Sequence, residues 1–241
     1  MQFAKAEVHG LSDCFAVIRR LEAKLWIAVW SCALLLVVPT TDAAQEVPVW
    51  SELDVASSWR AVVITTPVFF RADWTLPNPQ FAAAGATVDV QLPKGLTVSA
   101  GYLGGYLVIA WPQAASSRVG VPWIGATKAF TLRHIVVADR NVFDDFHGFG
   151  GSIARYRNRF SLDCWNIDRT WHVFGDDEAF FDLSASRWTQ NRLRFGGGRH
   201  LSERVLLDAY YLRWSVISAR TETDVFGTVV TVDLKKMVTK Q

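Results

Sequence analysis

The chain has 241 residues, with 25 Lys+Arg against 23 Asp+Glu, a net charge of +2, 50% hydrophobic residues and 3 Cys. These totals exclude a disordered tail, a collagen-like repeat and a disulfide scaffold, and the small net charge gives no electrostatic case for nucleic acid.

Arg19, Arg20 and Lys24 precede an apolar run from Leu25 to Val38 that contains nothing more polar than Ser31 and Cys32. The run is too short for a hydrocarbon core, which takes about 20 helical residues to cross. Thr40, Thr41, Asp42, Ala43 and Ala44 follow, with Thr41 and Ala43 spaced for a cut before Ala44. Residues 1–43 therefore read as a cleaved secretory signal and 44–241 as the mature chain. A buried helix or a short anchor is the competing reading, and the long stretch before Arg19 leaves open a start downstream of Met1. Cys32 follows Trp30 and Ser31 and sits inside the apolar run, the wrong context for lipid attachment. Loss of the signal removes Cys14 and Cys32 and leaves Cys164 as a structural thiol with no disulfide partner.

The mature chain alternates with a period of two. Ala154, Tyr156, Asn158, Phe160, Leu162 and Cys164 make one mostly apolar face, and Arg155, Arg157, Arg159, Ser161 and Asp163 make the other. Phe226 to Leu234 repeats the pattern, and Trp171 to Ala185, Trp188 to His200 and Val205 to Ile217 follow it less cleanly. Trp59 to Trp74, Phe81 to Leu92 and Leu96 to Trp111 are strand-like in composition. Helical periodicity is absent after the signal.

The connections fall into two kinds. Leu92 to Leu96, Asn166 to Thr170 and Leu201 to Val205 are tight; Leu76 to Gln80, Pro112 to Arg118 and Ser218 to Asp224 are looser. Such alternation suits an all-β, up-and-down antiparallel transmembrane barrel with short turns at one end. About eleven segments can be counted. Bacterial barrels of this type take even strand numbers, so ten or twelve is the expectation. The short segment Trp50 to Val55 fits poorly: it is either not a membrane strand or preceded by another.

An outer-membrane barrel turns apolar residues outward and charge inward, the reverse of a soluble barrel. Arg155, Arg157 and Arg159, then Asp176, Glu178 and Asp182, then Arg192 and Arg194, form facing rows of opposite sign; with Asp163 and Asp208 they are the expected lumen charge network. Trp74, Trp111, Trp123, Trp165, Trp171, Trp188 and Trp214 lie near strand ends and are the expected aromatic girdle. A soluble periplasmic lipid-binding barrel is the alternative.

Five segments carry a family resemblance: Ala138-Asp139-Arg140-Asn141, Arg155 to Phe160, Asp177-Glu178-Ala179-Phe180-Phe181, Trp188 to Arg192 and Leu207 to Leu212. In this order and at hairpin spacing they resemble blocks of the Gram-negative outer-membrane barrels grouped as domain-of-unknown-function family 2490, over about residues 47 to 236. The resemblance implies location in the cell outer membrane and no established activity. It also implies outer-membrane lipids and the barrel assembly machinery as partners. The chain departs from many outer-membrane barrels in running past Leu234 into Lys235, Lys236, Met237, Val238, Thr239, Lys240 and Gln241, without a terminal aromatic.

Chemical motifs are sparse. His134, His147, His172 and His200 occur singly, without the paired spacing of a metal site. Gly196-Gly197-Gly198 lacks the Lys-Ser/Thr of a phosphate loop and reads as a strand bend. Ser184, His172 and Asp182 match a hydrolase triad only as residue types. The expectation is a barrel without metal, cofactor or catalytic set, either structural with a packed, salt-bridged lumen or porin-like, a narrow channel for small solutes such as anions. A lipid-modifying barrel enzyme remains the other alternative.

Overall fold

The computed structural model describes residues 48–72, 81–109, 115–148, 150–217 and 219–234. The expected signal, the basic segment after Leu234, Trp74 and Trp111 lie outside these residues. The strands are β1 (Val49–Trp59), β2 (Val62–Ala72), β3 (Phe81–Leu92), β4 (Leu96–Ile109), β5 (Ala115–Leu132), β6 (Ile135–Gly148), β7 (Gly151–Trp165), β8 (Trp171–Asp182), β9 (Arg187–Ser202), β10 (Val205–Val216) and β11 (Thr221–Leu234). Each pairs antiparallel with its neighbours in sequence, and β1 pairs parallel with β11 to close the barrel.

Eleven strands correct the even count expected from sequence. With an odd number the first and last strands run the same way, so closure needs a parallel ladder, here Val49↔Phe226 through Ser57↔Leu234. Trp50 to Val55 belongs to a full-length strand and needs none before it. The chain thus enters β1 at one end of the barrel and leaves β11 at the other.

Topology sorts the connections as the sequence suggests. Residues 60–61, 93–95, 133–134, 166–170 and 203–204 lie at one end, the turn end; the strand ends joined by the β2–β3, β4–β5, β6–β7, β8–β9 and β10–β11 connections lie at the other, the loop end. Two prolines sit within strands at a cost, because proline cannot donate to a ladder. The β2–β3 pairing skips Thr66 and Pro67, and the β5–β6 pairing skips Val121 and Pro122.

Strand parity fixes which side chains enter the barrel. Outside are Tyr102, Ile124, Phe130, Phe143, Phe160 and Phe226, each more than 40% exposed. Inside are Asp144, His172, Asp176 and Glu178, all buried. Apolar groups join the charges within: Phe81, Ala83 and Val119 pack with Phe69, Leu103, Leu107 and Phe146 toward the loop end, and Tyr210, Leu212, Val225 and Val229 pack with Trp50, Phe174 and Trp214. A methyl group on Gly227 would lie 2.1 Å from Cζ of Tyr210, so the ring occupies space that any larger residue would claim. Gly227→Ala is expected to destabilise the barrel by about 1–3 kcal/mol through overpacking, and by much less in a Tyr210→Ala background. Urea-unfolding midpoints of the four proteins, followed by tryptophan fluorescence, check this.

Candidate functional site in the barrel interior

The interior is organised around Glu178 on β8. Register places Arg159 of β7 and Arg192 of β9 directly beside it on the two neighbouring strands. Its Oε1 accepts from Arg159 Nη2 at 3.1 Å and Arg157 Nη1 at 3.4 Å, and Oε2 lies 3.8 Å from Arg192 Nη1. One residue pair along, Asp176 stands opposite Arg194 and accepts from its Nε at 2.8 Å and its Nη2 at 2.7 Å. The period of two puts like charges on one strand, and the antiparallel register brings the opposite row beside them.

Asp144 of β6 completes the belt. Its side chain is inaccessible to solvent and holds Arg155 Nε at 2.7 Å and Arg157 Nε at 2.6 Å. Between these ion pairs Phe180 is 1% exposed, with the guanidinium carbons of Arg192, Arg157 and Arg155 at 4.6, 5.7 and 5.8 Å from its ring centre. Arginines without a carboxylate use aromatic faces instead. Arg71 lies 3.6 Å over Trp50, and Arg140 lies 5.0 Å over Trp123. A guanidinium over an aromatic face gains electrostatic attraction when removed from water, so these contacts stand in for ion pairs.

Nearer the turn end, His172 of β8 is held from both sides. Its Nδ1 is 2.8 Å from Asp163 Oδ1 and its Nε2 is 2.8 Å from Asp208 Oδ1. Serving both carboxylates requires an N–H on each ring nitrogen. Trp165 stacks on the ring at 4.3 Å and donates its indole N–H to Asp163 Oδ2 at 2.8 Å, while His200 stacks on the same indole at 5.6 Å. A Cβ on Gly198 would lie 1.8 Å from Asp208 Oδ1 and 2.4 Å from His172 Nε2, so the glycine makes room for the clamp.

A cavity of about 100 Å³ opens within the barrel beside Trp50, Glu52, Arg71, Arg159, Arg192, Arg194 and Tyr210. The Nε atoms of Arg159 and Arg192 are buried with no hydrogen-bond acceptor among the described residues. Among those residues no group of three His, Cys, Asp or Glu has the arrangement of a metal site.

Every residue of the expected charge network faces the interior, but not all in the expected role. Arg155 is opposite Asp182 in register yet bonds to Asp144, while Asp182 Oδ1 accepts the backbone N–H groups of Ser184 and Ala185 and caps the β8–β9 turn. Asp163 and Asp208 serve His172 rather than an arginine. His172, single in sequence, therefore has two acidic partners from other strands. It is about ten residues from Asp182 along one strand, some 33 Å at the rise of a β-strand, so Ser184, His172 and Asp182 are not brought together.

The girdle needs correction. Trp123, Trp165 and Trp214 point inward: Trp123 fills the space beside Gly101, Trp165 stacks on His172, and Trp214 donates to Gln190 Oε1 at 3.2 Å and packs against Trp50. Trp171 and Trp188 are on the outer face. Trp123 is at the middle of β5 rather than near its end, and for Trp165 and Trp214 parity, not nearness to a strand end, decides the side of the sheet. Sequence reasoning missed Trp50, Glu52, Arg71, Arg140, Asp144 and Phe180. Arg140, Val142 and Asp144 alternate as cleanly as the rows that were read, but Gly120, Pro122 and Gly125 obscure the preceding strand and with it the start of the register.

Comparison of the chain with protein-family models, with curated proteins and with solved structures finds no match.

Replacing Glu178 by Gln leaves the guanidinium groups of Arg157, Arg159 and Arg192 without their shared carboxylate. Removing one partner of a buried ion pair costs about 3–5 kcal/mol. Glu178→Gln is expected to lower the urea-unfolding midpoint by a corresponding amount, whereas Leu193→Val, on the outer face of β9, is expected to change it by less than about 1 kcal/mol.

Proposed function

We infer that this chain is an outer-membrane β-barrel whose lumen is filled by its own side chains, serving as a structural barrel rather than an open pore. The observation that carries the reading is the inverted polarity: aromatic and aliphatic side chains cover the outside while the Arg–carboxylate belt fills the inside. A soluble barrel turns its polar face to water. Tyr102, Tyr106 and Trp188 on the outside suit a lipid boundary, and the secretory signal read from residues 1–43 suits export. The five blocks resembling family 2490 agree with this location. Its partners are then membrane lipids and the assembly machinery, and no catalytic role is assigned.

Packing carries the structural reading. The cluster around Phe81, the guanidinium-flanked Phe180 and the stacked Trp165 occupy successive levels of the barrel. Small barrels are commonly filled in this way. The cavity beside Arg71 and Arg192 favours a second reading, a narrow route for small anions, because the guanidinium of Arg71, with no ion pair among the described residues, and the unsatisfied Nε of Arg192 attract them.

Expression with the signal, envelope fractionation and electrophoresis with and without boiling test the location. A heat-shifted band in the outer-membrane fraction is the expected result, and a soluble periplasmic protein without a shift defeats the reading. In planar bilayers the folded protein is expected to give no stepwise conductance. Reproducible anion-selective steps that disappear in Arg192→Gln overturn the structural role in favour of the channel.

A further inference from the structure

The outer surface is not uniform. On β1 to β4 the outward side chains of the described residues include Leu53, Ile64, Val68, Phe70, Val88 and Tyr102, and none carries a charge or an amide. The wall formed by β6 to β9 is interrupted at mid-height. Asn141 is at the midpoint of β6, Asn158 at the midpoint of β7 and Asp177 at the midpoint of β8, all three facing outward. Phe143, Phe160, Leu193 and Phe195 surround them.

These groups form a hydrogen-bonded patch. Asn158 Nδ2 donates to Asp139 Oδ1 at 2.6 Å and to Asn141 Oδ1 at 3.2 Å, and the Tyr156 hydroxyl donates to the same Asn141 oxygen. Asn191 Nδ2 donates to Asp177 Oδ1 at 2.6 Å. Internal bonding leaves capacity unused. Each carboxylate keeps a second oxygen, and the amide N–H groups of Asn141 have no acceptor in these bonds. Facing lipid, such groups are expensive, and polar side chains at membrane depth are turned toward protein or a water-filled cavity and paired there.

We propose that the β6–β9 wall is the contact surface of a homodimer, with Asn158 on the two-fold axis. The inference rests on the reading of the outer surface as lipid-facing. A second copy is the occupant because the pattern is self-complementary. A two-fold axis parallel to the barrel and in front of β7 sets Asn158 beside Asn158 of the second copy, with the N–H groups of each amide already donated within its own copy. The same axis sets β6 against β8 of the second copy, so the amide of Asn141 meets the carboxylate of Asp177 of that copy, and the reverse contact forms equally. This is the requirement of an isologous interface. Interhelical amides hold membrane helices together by the same physics as the Asn141–Asp177 contact.

The test uses the full-length protein in native outer membranes. Its three cysteines are replaced, and a single cysteine is introduced either as Asn158→Cys or as Val68→Cys on the opposite wall. Oxidation is expected to link Asn158→Cys into a species of twice the barrel mass at least tenfold more efficiently than Val68→Cys. Without introduced cysteines, Asn141→Leu with Asp177→Leu is expected to weaken the dimer at least tenfold by light scattering in mild detergent while keeping the heat-shifted band. A heat-shifted, membrane-located barrel that stays monomeric and does not link at position 158 overturns the dimer and leaves the membrane reading standing. Linkage of Asn158→Cys to a species of another mass also overturns it, in favour of a different membrane protein. Absence from the membrane fraction overturns both.

Discussion

Charge inside a barrel must be compensated within the barrel. The inward arginines of β7 and β9 come three and two in succession, and the period of two would pile like charges together if the neighbouring strands did not answer them. Glu178 and Asp176 on the strand between, and Asp144 on the far side of β7, do so in register. A slip of one residue in any of these ladders would turn an entire row to the wrong face. The ion pairs therefore select the register as much as they stabilise it, and register in turn places the apolar side chains outside.

The same constraint explains how the aromatic residues are used. Trp50, Trp123 and Phe180 are inside because they face guanidinium groups that lack, or only share, a carboxylate. An aromatic face satisfies such a cation without adding an acid that would itself need a partner. The interior is consequently mixed, with rings and charges interleaved, and glycines such as Gly198 and Gly227 give the larger groups space.

Closure by β1 and β11 in parallel has a consequence for how the protein sits. Entry into β1 is at the loop end and exit from β11 at the turn end, so the two ends of the strand array are at opposite ends of the barrel. The outer wall has its own asymmetry, apolar across β1 to β4 and polar at mid-height across β6 to β9.

From sequence alone, the alternation in β7 to β11 determined which side chains share a face, and the signs of those side chains determined that the faces of β7, β8 and β9 would be matched. Those are local properties, set by the two-residue period of an extended chain. The strand count was not local: whether the first and last strands close in parallel or a twelfth intervenes depends on contacts spanning the whole chain. The partners of individual charges were not local either. His172 stands alone in the sequence, yet three strands converge to give it Asp163 and Asp208, and Arg155 bypasses the Asp182 opposite it for Asp144 on its other side. The girdle positions depend on where strands begin and end as well as on parity: Trp123 falls at the middle of β5, and Trp214, near the end of β10, faces inward. Sequence fixes the order of charges along each strand, and tertiary structure chooses the neighbours, because a closed sheet offers each inward group two flanking strands and a shared interior to bond across.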